Sequence, residues 1–367
     1  MQPINRLSKI TTLVFDWGNT LMKELPFPGA MVDWPVVETV PGAEQALRTL
    51  KGSYQLVVAS NATMSSAAQI EAAFGRVGLG GLMDQVFTFQ ELGSRKPDPT
   101  FFGGICAALQ TSPEQMLMIG DSWPVDAAGA LQAGWLAAWY NPTHQAGPGL
   151  QPLHSIEIHA MTSLPSRLAD VNLPTPQEAN RWLLEQGTSQ TILVHVQMVA
   201  ALAYQVAEWL SGCGEEVNPI LAHRGGLLHD LAKLSATRPG VPTDHHGDLA
   251  GQLLDKVGQP GLADIARRHL FYLPEEESAR KPRTWEEKLV YYADKLVEST
   301  RLVSLSERMT ALNHRYPTYQ DRFTAGFPAV LDLQSEICRI LSISPEDLFE
   351  MLKRALFEEK PVTIPGH

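Results

Sequence analysis

A change of rhythm near residue 172 restricts the fold of this chain more than any other feature. Before it, short apolar runs alternate with helix-like stretches. They are Thr12 to Phe15, a helix about Ala43 to Leu50, Leu56 to Ala59, a helix about Ser65 to Phe74, and Gln85 to Phe87. A helix after Pro99, Met116 to Ile119, a helix after Pro124, Trp135 to Tyr140 and a last run at Ile156 to His159 follow. Such alternation predicts a mostly parallel sheet covered by helices on both faces. Proline and glycine then crowd the chain at Pro142, Gly147, Pro148, Gly149 and Pro152, and Asn172-Leu173-Pro174-Thr175-Pro176 reads as a linker.

Beyond it only helical periodicity remains. Helices are expected over Pro176 to Gln186, Val194 to Leu210, Pro219 to Leu231, Asp248 to Val257, Leu262 to Arg268 and Trp285 to Leu302, with two more after Phe327 and Pro345. The expectation is an α/β Rossmann-like domain over residues 1–171 and an all-α helical bundle over 172–367. Each half is long enough to bury its own core.

A formal net charge of -11 argues against general attraction to nucleic acid or to an anionic membrane. A small anionic substrate remains compatible with it, because bound metal ions dominate the field of a site. Leu13-Val14-Phe15 is cut short by Asp16, so no signal-peptide core is expected. The most apolar long window, Thr191 to Leu210, is interrupted by His195, Gln197, Gln205 and Glu208, which argues against a membrane span. Cys106, Cys213 and Cys338 lie far apart and read as buried thiols in a reducing compartment. The expected setting is the cytoplasm, with a homo-oligomer left open.

In open parallel sheets, ligands bind beyond the carboxyl ends of the strands. The polar residues there are Asp16, Ser60 with Asn61, Lys96, and Asp121 with Asp126. Their chemistry forms a set: Asp16 can attack phosphorus, the Ser60 hydroxyl and Lys96 ammonium can hold phosphoryl oxygens, and Asp121 with Asp126 can hold Mg²⁺. Taken singly, each is more simply a turn residue or helix cap.

Together they resemble the haloacid dehalogenase-like (HAD) superfamily. The matching segments are Phe15-Asp16-Trp17-Gly18-Asn19-Thr20-Leu21, Ser60-Asn61, Lys96-Pro97, and Gly120-Asp121 with Asp126, within roughly residues 8–169. The resemblance implies Asp16 as nucleophile and Mg²⁺ between Asp16, the carbonyl of Gly18 and Asp121. Two departures stand out. Phosphatases of the family carry a second Asp where this chain has Gly18, a general acid and base typically worth ~10²–10⁴ in rate. Its loss is compatible with a slow phosphatase, a different bond cleaved, or phosphate binding without turnover. The stretch from Thr20 to Pro41, with Pro26, Pro28 and Pro35, is also too short for a helical cap domain. The site is therefore expected to lie open or to be covered by the second half.

In that second half His195, the pair His229-Asp230, His246, His269 and Asp294 recur in apolar or helix-flanking settings. Asp294 lies among Leu289, Val290, Ala293, Leu296 and Val297, where a carboxylate is costly to bury unless paired or bound to a metal. Alone, His195 reads as a hydrogen-bonded core histidine and Asp294 as part of an exposed face. As a set they resemble HD-domain metal-dependent phosphohydrolases. The segments are Val194-His195-Val196, Leu228-His229-Asp230-Leu231-Ala232-Lys233, His246-Gly247, Arg268-His269-Leu270 and Tyr292-Ala293-Asp294-Lys295, within roughly 177–310. The branch most similar includes symmetrical dinucleoside tetraphosphatases.

This resemblance implies one metal on His195, His229, Asp230 and Asp294, and a second on His246 and His269 bridged by Asp230. His245 is the alternative to His246, which the following Gly247 favours, and His223 is expected to point elsewhere. Lys233 is expected on the same helical face as the His-Asp pair, reaching a phosphate, with Arg267, Arg268 or Arg301 as further cations. Histidine and carboxylate ligands suit two divalent ions of Fe, Mn, Co, Ni or Zn. Such a pair brings water toward a pKa of about 7.

The resulting expectation is a two-domain metal-dependent phosphohydrolase. The HD half would cleave a small phosphorylated substrate of nucleotide type, with a dinucleoside polyphosphate the leading case, and the HAD half would be a companion phosphatase-like module. The rivals are a HAD catalyst with the bundle as lid, and a non-enzymatic nucleotide or phosphate sensor.

Overall fold

The computed structural model describes all residues except 146, 148, 235–244, 274–275 and 358–367, with backbone only at 277 and 278. Pro148, one of the boundary residues, therefore lies outside the described residues. The chain divides into two compact units. One is Asn5–Gln145 with His154–Asn172; the other is Met1–Ile4, Ala146–Leu153 and Leu173–His367. Pro142 thus belongs with the sheet, and the later part of the Pro/Gly-rich stretch, from residue 146, with the helices. Arg224 holds it there, Nε donating to the Pro174 carbonyl at 2.7 Å and Nη2 to the Pro152 carbonyl at 2.8 Å.

The first unit runs β1 (Thr12–Phe15), α1 (Ala43–Leu50), β2 (Gln55–Ser60), α2 (Ala67–Arg76), β3 (Gln85–Thr88), α3 (Phe89–Leu92) and α4 (Pro99–Leu109). It continues with β4 (Met116–Gly120), α5 (Ala128–Gln132), β5 (Leu136–Tyr140), β6 (Ile156–Ile158) and α6 (Leu164–Arg167). All strand pairings are parallel, in the order β3-β2-β1-β4-β5-β6. Period-two alternation splits each central strand between two cores. Leu13, Phe15, Leu56, Val58, Leu117 and Ile119 face one, and Val14, Val57, Ala59 and Met118 the other. The helix after Pro124 opens as a wide π turn over Trp123–Ala127 before α5. Between Leu21 and Pro41, among the described residues, the helical structure is a single 3-10 turn at Met31–Asp33, in keeping with a missing cap.

The second unit comprises α7 (Pro176–Glu185), α8 (Gln190–Gly212), α9 (Pro219–Leu228), α10 (His246–Lys256), α11 (Pro260–Arg268), α12 (Glu277–Arg280) and α13 (Trp285–Lys295). After β7 (Val297–Glu298) and β8 (Arg301–Leu302) come α14 (Leu305–Arg315), α15 (Gln320–Leu341) and α16 (Pro345–Phe357). α8 is long and apolar enough to cross a membrane by length and composition, yet Val196, Val199, Leu202, Ala203 and Val206 belong to the helical core. α9 lies against it because Gly226 has no side chain; a β-carbon there would stand 2.5 Å from Ala200 Cα.

Several expectations are corrected. The helix read from Trp285 to Leu302 stops at Lys295, and the chain turns through Ser299 at φ 56 into the small β7–β8 hairpin, so the half is not helices alone. α9 ends at Leu228, which puts His229 to Lys233 in turns rather than on one helical face. α14, Leu305–Arg315, has no counterpart among the expected helices, and α15 starts well before Phe327 and carries Pro328 inside it. Of the cysteines, Cys338 is buried, while Cys106 and Cys213 are only partly so.

Candidate metal centres

α8, the turn after α9, the start of α10, the end of α11 and the end of α13 each contribute to one buried cluster in the helical unit. His195 Nε2 lies 3.1 Å from Asp294 Oδ1 and 3.7 Å from Asp230 Oδ2. His229 Nε2 lies 3.5 Å from Asp230 Oδ2 and 3.7 Å from Asp294 Oδ1. On the other side of the same carboxylate, Asp230 Oδ1 is 3.1 Å from His246 Nε2 and 3.6 Å from His269 Nε2. Asp230 thus offers one oxygen to each of two groups, and the ligand atoms of His195, His229 and Asp230, and those of Asp230, His246 and His269, lie within 4.8 Å of one another.

Backbone carbonyls set the rings. His229 Nδ1 sits 2.8 Å from the Gly226 carbonyl and His269 Nδ1 2.6 Å from the Ala266 carbonyl. A carbonyl only accepts, so Nδ1 carries a proton in both and Nε2 is turned into the cluster, where its lone pair serves a cation that displaces any proton held there. Lys295 donates to Asp294 Oδ2 at 2.7 Å and to the His269 carbonyl at 2.6 Å, tying the two halves of the cluster.

Two observations test whether divalent cations fit. His229 Nε2 and Asp230 Oδ1 are buried without a hydrogen-bond partner among the described residues, an arrangement that ordinary folding avoids. The electrostatics agree. Burial alone would lower His229, but the carboxylates of Asp230 and Asp294 push it up to about 9. Burial would raise Asp230, yet Lys233 and His229 hold it well below the usual carboxylate range. Burial and the neighbouring imidazoles push His269 down to about 3. Protons and ammonium groups here occupy positions that favour cations, and the donor set fits two divalent ions.

Beside the cluster opens a cavity of about 280 Å³. Lys233, Arg308, Arg315 and Arg322 line it with Tyr316, Tyr319 and Phe323, and His246, His269 and Asp294 form its floor. Lys233 does not point away free; its Nζ sits 2.5 Å from Asp230 Oδ2. The other cations expected from sequence are not among the lining residues. Arg267 pairs with Asp255 and Asp264, Arg268 with Glu287 and Asp264, and Arg301 is exposed on β8. Arg308, Arg315 and Arg322 were missed because they lie on α14 and α15, beyond the resembling segments. Arg315 does stand in a polar and aromatic run, Asn313-His314-Arg315-Tyr316-Pro317, but Arg308 and Arg322 have no such local mark. His223 does point elsewhere, 3.1 Å from Gln151 Oε1, and exposed His245 pairs with Asp248.

In the α/β unit, Asp16, Ser60 and Asp121 sit at the carboxyl ends of the adjacent strands β1, β2 and β4, where the strand order reverses direction. Lys96 Nζ donates to Asp16 Oδ1 and to Asp126 Oδ1, both at 2.6 Å, and is buried. Burial would lower this ammonium, but Asp126 and Asp16 raise it, so it stays charged. Asn61 positions the lysine backbone, accepting from the Lys96 amide at 3.0 Å and donating to its carbonyl at 2.8 Å. Asp126 also accepts from the Ser122 amide at 3.1 Å, so both its oxygens are engaged. Buried Ser60 accepts from the Ala62 amide at 3.0 Å.

Asp121 accepts from the Thr20 hydroxyl at 3.2 Å, and burial, then the charge of Asp16, pushes it up to about 6. Ligand atoms of Asp16, Asp121 and Asp126 lie within 4.8 Å of one another. That crowding of carboxylates raises a pKa until a cation relieves it, and an all-oxygen set suits Mg²⁺.

With this geometry in hand, comparison with known proteins gives two family matches in one chain: haloacid dehalogenase-like hydrolase over residues 29–134 and HD domain over residues 192–298. Both families are metal-dependent, and the match makes the chain a hydrolase. An uncharacterized protein of Methanocaldococcus jannaschii is 32% identical over 135 residues, covering 34% of this chain and 77% of that protein. A validoxylamine A 7'-phosphate phosphatase of Streptomyces hygroscopicus is 29% identical over 34% of this chain and 58% of that protein. A pyrimidine 5'-nucleotidase of Escherichia coli is 26% identical over 38% of this chain and 60% of that protein. This chain therefore spans less than two thirds of the length of either named enzyme. Among solved structures, a HAD phosphatase from Thermococcus onnurineus is 25% identical with a TM-score of 0.32, over 36% of this chain and 60% of that one.

Proposed function

We propose, from the premise that this chain belongs to the haloacid dehalogenase-like hydrolases through one unit and to the HD-domain family through the other, that it is a phosphohydrolase with two separate metal-assisted sites. The helical unit cleaves a phosphoester or phosphoanhydride bond of a small nucleotide, with a dinucleoside polyphosphate as the leading substrate. The observation that carries this reading is Asp230, which gives one oxygen to each of two histidine groups, while His229 Nε2 and its own Oδ1, the latter 3.1 Å from His246 Nε2, make no well-directed hydrogen bond among the described residues. His195, His229, Asp230 and Asp294 would hold one ion, and Asp230, His246 and His269 the other. When bound, such a pair supplies Lewis acidity and makes water acidic enough to attack phosphorus near neutral pH.

The protein's own residues do the rest. Lys233, Arg308, Arg315 and Arg322 offer donors to phosphate oxygens, and Tyr316, Tyr319 and Phe323 give a nucleobase an aromatic wall. Lys295 fixes the Asp294 carboxylate. In the α/β unit, Asp16 is the nucleophile toward a phosphate monoester, Lys96 and Ser60 take its oxygens, and Mg²⁺ would be held by Asp16, the Gly18 carbonyl and Asp121, with Asp126 at its margin. The named relatives, a phosphatase and a nucleotidase, support this substrate class. A domain boundary near residue 172 and a cytoplasmic setting belong to the same proposal, the latter supported by three free thiols.

The test uses the full chain purified without chelator, assayed for metal and for phosphate release from a nucleotide panel. Nucleotide turnover that disappears in Asp230→Asn but survives Asp16→Asn supports the helical site. Turnover lost only in Asp16→Asn moves the main activity to the α/β unit and overturns the assignment.

A further inference from the structure

Residue 18 is the glycine that stands where related phosphatases carry their acid-base aspartate, and the structure fills the adjacent space from elsewhere. A β-carbon built on Gly18 would lie 2.3 Å from Glu24 Oε1, 2.9 Å from its Cδ and 3.1 Å from its Cγ. The carboxylate oxygens of an aspartate lie about 2.4 Å from their own β-carbon, given bond lengths of ~1.5 and ~1.25 Å. Glu24 therefore brings a carboxylate as near to the residue-18 position as an aspartate there would. The two cannot coexist without displacement, so the glycine and the glutamate are complementary.

The placement is built into the turn after β1. The Asn19 amide donates to the Met22 carbonyl at 2.7 Å, and Met22 bridges both Gly18 and Thr39. Asn19, in the left-handed region at φ 52, clamps the glutamate at both ends. Its Oδ1 accepts from the Glu24 amide at 3.1 Å, and its Nδ2 donates to Glu24 Oε2 at 3.4 Å. Glu24 remains exposed to water.

We propose that Glu24 is the general acid and base of the α/β site, replacing from the turn the carboxylate that residue 18 lacks. This deepens, and rests on, the reading of Asp16 as nucleophile. In the first step an Asp16 oxygen bonds to phosphorus as the bond to the ester oxygen breaks, and protonated Glu24 gives its proton to that oxygen, releasing the alcohol. In the second, the Glu24 carboxylate takes a proton from water as the water oxygen bonds to phosphorus and the bond to Asp16 breaks. Inorganic phosphate leaves, Asp16 is restored, and Glu24 is again protonated. One ester and one water become one alcohol and one phosphate.

The experiment measures kcat/KM on the full chain with alkyl phosphates and with p-nitrophenyl phosphate, counting only turnover that Asp16→Asn abolishes. Glu24→Gln should lower the alkyl phosphate value by ~10² or more, within the usual range for a general acid. It should lower the p-nitrophenyl phosphate value by less than ~10, because that leaving group needs little proton donation. Glu24→Gln keeps the shape of an exposed residue, so a merely structural role predicts neither the loss nor its dependence on leaving group. Adding Gly18→Asp to Glu24→Gln should restore activity, since Gly18 is not among the positive-φ glycines and the glutamate amide can swing aside. Asp16-dependent turnover indifferent to Glu24→Gln, or lost equally for both substrates without rescue by Gly18→Asp, overturns the role of Glu24 and leaves Asp16 as nucleophile. No Asp16-dependent turnover with any phosphate ester overturns both.

Discussion

Replacing Asp230 with asparagine tests the helical site most sharply, because the two oxygens of Asp230 face different groups. Oδ2 lies toward His195 and His229, and Oδ1 toward His246 and His269. Outer partners of metal ligands are already worth 10–100-fold in metal affinity, so a direct ligand should cost at least ~10–100-fold for each ion it touches. Asp230→Asn acts on both ions and should lower their joint affinity by ~10²–10⁴, or about 3–6 kcal/mol at 1.4 kcal/mol per decade. His195→Ala removes a ligand from one group only and should cost ~10–100-fold, with the second ion retained. Titration calorimetry with Mn²⁺, backed by elemental analysis of chelator-free protein and circular dichroism to check the fold, reads the difference. If Asp230→Asn keeps two equivalents of metal, or loses no more than His195→Ala, the shared-carboxylate argument fails.

Three further outcomes follow from the same geometry. Lys96→Met leaves Asp16 and Asp126 without their common cation and should destabilise the protein by about 3–5 kcal/mol in urea unfolding, with part of the loss recovered by adding Asp126→Asn. Because Asp121 is held above its unfolded value of 3.8, at about 6, the folded state binds its proton more tightly. Metal-free protein should therefore lose stability as pH rises from about 4 through about 6, and Mg²⁺ or Asp121→Asn should flatten that slope in tryptophan-monitored unfolding. Arg315→Ala, on the cavity wall but outside the histidine cluster, should raise KM for a nucleotide substrate by ~10–100-fold, the worth of one charged hydrogen bond, and leave metal content unchanged.

How much could be read beforehand differs between the two sites. Parallel strands buried on both faces are continuous apolar runs, so β1, β2 and β4 stood out, and the residues after them were marked for a site by strand order alone. The pairing of Lys96 with both Asp16 and Asp126, across 80 and 30 residues of chain, had no such local trace. In the helical half the ligand set was legible because histidine and aspartate are rare on apolar stripes. The boundary of α13 was not, since Leu296 and Val297 extend the stripe past the point where the backbone leaves the helix.

What the sequence by itself determined is therefore the order of elements and the identity of the unusual polar residues, because periodicity and burial cost are local properties of the chain. Only the tertiary structure decided what those residues do to one another. It aimed Asp230 at two histidine groups, recruited arginines from α14 and α15 to the cavity, and set Glu24 beside Gly18. Those relations depend on ångström-scale distances between segments far apart in the chain or on the path of an irregular turn, and neither leaves a periodic signal to read.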